Sequence, residues 1–115
     1  MRVLVIEDEL MIRMLLQDML DDLGHTLAGE AGHIDEAMTL ARQADFDIAI
    51  LDVNLNGQPI TPVVEALIER GLPFVFATGY GDDKITPEDY GAPVIRKPYD
   101  VTQVAAALAE VTGRA

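Results

Sequence analysis

Residues 2–9 read RVLVIEDE, four apolar side chains in unbroken succession followed by three acids. Val3, Leu4, Val5 and Ile6 show no alternation of apolar and polar positions. A strand made from them must be covered on both faces, the situation in parallel sheets sandwiched between helices. Glu7, Asp8 and Glu9 then stand where that strand runs out, ahead of a helical pattern.

The same grammar repeats outward from this stretch. Ile12, Leu16, Met19 and Leu23 fall at the spacing of one helix face, and Gly24 closes it. Met11, Met14 and Met19 lie on this helix and read as core filler. Residues 26–31 form a weaker strand interrupted by Gly29, and Ile34, Ala37 (or Met38) and Ala41 mark a second short helix. DIAIL at 47–51 is a third strand ending at Asp52, and VNLNGQP after it is a loop by its Asn, Gly and Pro content. Thr61 is positioned to cap the next helix, with Pro62 at its first position. That helix runs through Val64, Leu67 and Ile68 and stops at Gly71. PFVFA at 73–77 is a fourth strand and 93–95 a fifth. Asp100 caps a final helix through Val101, Val104, Leu108 and Val111. Strand and helix alternate, which predicts an α/β domain with a parallel sheet and helices on both faces. One unit breaks the pattern: GYGDDKITPEDYGA at 79–92 has almost no apolar periodicity, and its helix is expected to be short, frayed or absent.

Bulk properties narrow the function. At 115 residues, half of them apolar, the chain is read as one domain, 1–115, with a core of its own and no output domain after it. The absence of cysteine excludes thiol catalysis, thiolate zinc sites and disulfide scaffolds. No apolar run approaches the roughly 18 residues of a membrane span, and the N-terminus lacks the features of a signal peptide, so a cytoplasmic protein is expected. Eight basic against 20 acidic residues give a formal net charge of −12, with no basic stripe to engage a phosphate backbone. Any control of genes would pass through another protein.

In an open parallel sheet, ligands bind beyond the carboxyl ends of the strands. Strand one ends there in Glu7-Asp8-Glu9, strand three in Asp52, strand four in Thr78-Gly79 and strand five in Lys97-Pro98. Each has an ordinary explanation when taken alone. Acids at a helix start suit the helix dipole, and Glu9 is assigned that role. An Asp after a strand is commonly a turn residue, a Thr there a satisfied hydroxyl, and a Lys before Pro a solvated charge. His25 and His33 sit in turn-like contexts without metal-ligand spacing. The convergence of four chemical classes at one end of the sheet is what points to chemistry. Carboxylates crowded from two adjacent strands raise one another's proton affinity, and a hard divalent cation such as Mg²⁺ relieves that repulsion. Asp52 is the candidate nucleophile, forming an acyl phosphate. Lys97 offers a mobile positive charge to a phosphoryl oxygen, and Thr78 a hydroxyl donor. This is a parts list for phosphoryl transfer.

With these residues in place, the chain resembles the receiver domains of bacterial response regulators along essentially its whole length. Glu7-Asp8, Asp52, Thr78 and Lys97-Pro98 carry the resemblance. It implies a flavodoxin-like (βα)5 doubly wound fold with strand order 2-1-3-4-5. It also implies Mg²⁺ held by Glu7, Asp8, Asp52 and the backbone carbonyl of Asn54, with Asp52 as phosphoacceptor. Thr78 would contact the phosphoryl group, Lys97 would pair with it, and the Lys97-Pro98 bond would be cis. The family's aromatic switch, three residues before the lysine, is here Val94; Tyr80 or Tyr99 are the residues at hand to replace it. The run 74–80, FVFATGY, is similar to the FATG-type motif of a subgroup of single-domain receivers. The function implied is that of a phosphorelay protein rather than a conventional enzyme. A sensor histidine kinase or phosphotransfer protein would phosphorylate it, a downstream protein would read it or it would serve as a phosphate shuttle or sink, and it would also accept phosphate from small donors and dephosphorylate itself.

Three competing classes remain in view. A docking module that works without phosphorylation has no need of Asp52, Thr78 and Lys97 together. A small-molecule phosphatase with an Asp nucleophile typically has a second acid two residues on, where this chain has Asn54. An FMN site would want a phosphate-cradling loop after strand one, where Glu7-Asp8-Glu9 would repel the phosphate.

Overall fold

The computed structural model describes residues 1–78, 92–96 and 100–112. Strands β1 (Arg2–Ile6), β2 (Thr26–Ala31), β3 (Ile48–Asp52), β6 (Phe74–Thr78) and β7 (Val94–Arg96) form one sheet, with a small hairpin of β4 (Asn54–Leu55) and β5 (Gln58–Pro59) after β3. The sheet order is β2-β1-β3-β6-β7, all pairs parallel. Counting main-sheet strands alone, this is the expected order 2-1-3-4-5. The helices described are α1 (Leu10–Asp22), α2 (Ile34–Gln43), α3 (Thr61–Arg70) and α4 (Val101–Thr112).

The unbroken apolar runs make sense in this arrangement. Successive strand residues point to opposite faces, and both faces are covered. Leu4, Ile6, Ala49, Leu51, Phe74 and Phe76 join a core with residues of α2 and α3. Val3, Val5, Ile48, Ile50, Val75 and Ala77 join a second core with Leu16 and Leu20 of α1 and Val104 and Leu108 of α4. Gly29 lies where β2 shifts register against Val3 and Leu4, and the Leu4 side chain approaches to 3.4 Å of the place a Cβ would occupy there. That bulge is the interruption legible at Gly29.

Three local readings need correction. Met11 and Met14 are not core: they are 81% and 57% exposed, because the inward stripe of α1 is Ile12, Leu16, Met19, Leu20 and Leu23 and they project from other sides of the helix. Thr61 does not cap α3; it is the first helical residue, Ile60 takes the cap position and no side-chain cap bond forms. Ile68 is exposed rather than part of the apolar stripe of α3. Gly71, at φ 69°, ends that helix in the left-handed conformation expected of it. The Asp100 cap is present, its Oδ1 accepting from the Gln103 amide at 2.7 Å. Residues 79–91 of the unit expected to carry a degraded helix, with Gly79 and Tyr80 among them, lie outside the described residues, as do Lys97, Pro98 and Tyr99.

Candidate functional site

Parallel pairing brings three strand ends level. Ile6 pairs with Leu51 and Asp52 with Ala77, so Glu7, Asp52 and Thr78 emerge side by side. Main-chain bonds fix the exits: the Glu7 amide donates to Ala31 O at 3.0 Å and the Val53 amide to Ala77 O at 3.2 Å.

Glu7, Asp8 and Asp52 converge as the sequence predicts. Each offers one carboxylate oxygen, and the three oxygens lie within 4.8 Å of one another. Glu7 and Asp52 are only 1% and 2% exposed, so this is a walled crevice rather than a fringe of surface acids. Buried carboxylates at such separations repel strongly unless a proton or a cation stands between them. The donor set is entirely oxygen and anionic, which suits a hard divalent ion and not a soft one.

Thr78 is 6% exposed, and its Oγ1 is buried with no hydrogen-bond partner among the described residues. A buried hydroxyl left so is costly, and the usual account is a ligand or water that completes it. Asn54 opens the hairpin as the first residue of β4, two places beyond Asp52. Glu9 occupies the N-cap position of α1 without a side-chain capping bond; its amide donates to Glu7 Oε2 at 3.1 Å, which fixes that carboxylate from behind. Val94 is exposed in β7, where it pairs with Phe76.

Asn56 was not legible as part of the site, and it touches Asp8 directly: its amide donates to Asp8 Oδ2 at 3.0 Å. The Asn56-Gly57 dipeptide, a signal for a tight hairpin turn, was the available clue. Arg13 of α1 also lies close by, its Nη1 3.5 Å from the Cβ position of Gly32.

The chain is similar to known proteins along most of its length. Residues 3–109 match the family model described as response regulator receiver domain. The transcriptional regulatory protein PdtaR of Mycobacterium tuberculosis is 33% identical over 93% of this chain, which spans 54% of PdtaR. The phyllosphere-induced regulator PhyR of Methylorubrum extorquens is 31% identical over 94% of the chain, which spans 42% of PhyR. The chain therefore spans about half the length of these curated relatives. Among solved structures, SdrG from Sphingomonas melonis Fr1 is 43% identical, with TM-score 0.85 over 94% of this chain and 92% of SdrG. The BeF3-activated conformation of SdrG superposes over the same shares with TM-score 0.78.

Proposed function

The chain belongs to the response-regulator receiver domains, and from that premise we propose that it is a phosphoacceptor of a two-component phosphorelay, modified on Asp52. The observation that carries the reading is the crevice itself: three carboxylate oxygens within 4.8 Å of one another, beside a buried threonine hydroxyl that has no partner among the described residues.

In this reading a carboxylate oxygen of Asp52 attacks the phosphorus of a phosphohistidine or of a small donor such as acetyl phosphate. The P–N or P–O bond to the donor breaks, and an acyl phosphate forms on Asp52. Glu7, Asp8, Asp52 and the Asn54 carbonyl would hold Mg²⁺, which would supply positive charge against the carboxylates and the phosphoryl oxygens. Burial of Glu7 and Asp52 keeps solvent from screening that charge. Thr78 donates its hydroxyl to a phosphoryl oxygen, which satisfies the orphan Oγ1. Lys97 pairs with the same group, and water later removes it in autodephosphorylation. The transfer rests on positioning and electrostatics rather than on a conventional acid–base apparatus.

The phosphorylated state is read by a partner protein or the group is passed on. The acidic surface disfavours direct DNA binding, and no helix among the described residues is long and apolar enough to cross a membrane. The protein works as a cytoplasmic signalling component, and its resemblance to SdrG, for which a BeF3-activated conformation is known, favours an acyl-phosphate switch over docking without phosphorylation.

Intact-protein mass after incubation with acetyl phosphate tests this. One labile phosphoryl group is expected with Mg²⁺, and none with a chelator or in Asp52→Asn. Absence of an adduct both from acetyl phosphate and from a phosphorylated kinase would favour the docking module instead.

A further inference from the structure

The hairpin after β3 does more than connect it to α3. Its turn is Asn56-Gly57, both at positive φ, 52° and 80°, the two-residue turn that Asn-Gly favours. Leu55 before the turn and Ile60 after it are fully buried, so the turn is anchored at its base. Asn56 then makes contacts in three directions. Its backbone amide donates to Asp8 Oδ2 at 3.0 Å. Its side-chain Nδ2 donates to Gly32 O at 2.8 Å and lies 3.1 Å from His33 Nδ1. An amide nitrogen carries two protons, enough for both partners.

Gly32 belongs to the turn between β2 and α2, and the Glu7 carbonyl lies 3.5 Å from the position its Cβ would take. Asn56 therefore closes a ring: the hairpin bearing Asn54, the turn packed against Glu7, and the carboxylate of Asp8. A carboxylate with one oxygen held by a fixed N–H keeps one orientation, and outer partners of this kind tune the affinity of metal ligands. The left-handed φ is what aims that N–H, and Asn is one of the few residues besides Gly that adopts it readily.

We propose that Asn56 is a positioning residue for the cation site, setting the orientation of Asp8 through its backbone and locking the hairpin through its side chain. The proposal rests on the Mg²⁺-dependent phosphoacceptor reading. Asn56→Gly keeps the left-handed turn and the N–H while deleting the side-chain lock. Asn56→Ala also strains the turn, and His33→Ala removes one side-chain partner with little risk to folding.

The test is calorimetric titration of the phosphate-free protein with Mg²⁺, alongside the Mg²⁺ dependence of labelling by acetyl phosphate. Mg²⁺ affinity is expected to fall roughly tenfold in Asn56→Gly, at the low end for outer-sphere partners, further in Asn56→Ala and less in His33→Ala. The Mg²⁺ concentration for half-maximal labelling rises by the same factor, while the rate at saturating Mg²⁺ returns to near the wild-type value. A wild-type protein that binds Mg²⁺, with variants that bind it equally well, would overturn the role of Asn56 and leave the phosphoacceptor reading intact. A lowered saturating rate with unchanged Mg²⁺ dependence would overturn it too. Wild-type protein that neither binds Mg²⁺ nor is labelled would remove both.

Discussion

The two ends of the sheet treat charge in opposite ways. At the amino end, charged groups meet partners of opposite sign or carbonyls. The Arg2 amide donates to Asp47 Oδ2 at 2.7 Å, and the Arg2 guanidinium pairs with Asp45 at 2.7 Å. Arg70 donates to Ala41 O at 2.7 Å and to Ala44 O at 2.9 Å, with its guanidinium 5.3 Å from the centre of the Phe46 ring. The carboxyl end brings three acids together, and a buried threonine hydroxyl there has no hydrogen-bond partner among the described residues. One end is organised for stability. The other concentrates acids at one point, as a site that must take up a cation requires.

The sharpest way to break this contrast is Asp52→Asn. Labelling by acetyl phosphate should be lost with the nucleophile. In Mg²⁺-free buffer the same variant should melt a few degrees higher, because one repelling charge has gone. A lower melting temperature there would show that the crevice is not electrostatically strained. Arg70→Ala is the mirror experiment: a loss of about 1–2 kcal/mol in denaturant unfolding, with labelling unchanged in folded protein.

That contrast was only partly open to a reader of the sequence. The fold class was legible because the apolar runs VLVI, IAIL and FVFA alternate with helical patterns, whereas the strand order was available only through the resemblance to receiver domains. Glu7, Asp8, Asp52 and Thr78 were legible because strand ends locate chemistry in such sheets. Asn56 was not, since its role depends on a turn geometry that brings it to a residue 48 positions away. Met11 and Met14 misled because methionine suits core and surface alike, and only the angular position on α1 separates them from Met19. Thr61 had the chemistry of a cap, but the chain enters α3 one residue earlier than that role requires.

Smaller effects refine the comparison. Mg²⁺ at ten times its dissociation constant should stabilise the wild-type fold by about 1.4 kcal/mol, and Asp52→Asn by less; equal shifts would place the ion elsewhere. His25 is held below its ordinary pKa, first by burial and then by the N-terminal ammonium. The unfolded chain therefore binds the extra proton more readily, so this residue's contribution is present above about pH 6.5 and declines as pH falls towards the folded value. His25→Gln should flatten that part of the stability profile, whereas an unchanged profile would assign it to other groups. Least of all, Met11→Lys should alter stability by under about 0.5 kcal/mol.

The most direct test of the central claim is chemical trapping of the modified residue. Protein treated with acetyl phosphate and Mg²⁺ is reduced with borohydride, which converts an aspartyl phosphate to homoserine, and the peptides are then sequenced by mass spectrometry. Homoserine at position 52, absent without Mg²⁺, is the predicted result. Homoserine at Asp8 or another acid, with Asp52 intact, would contradict it.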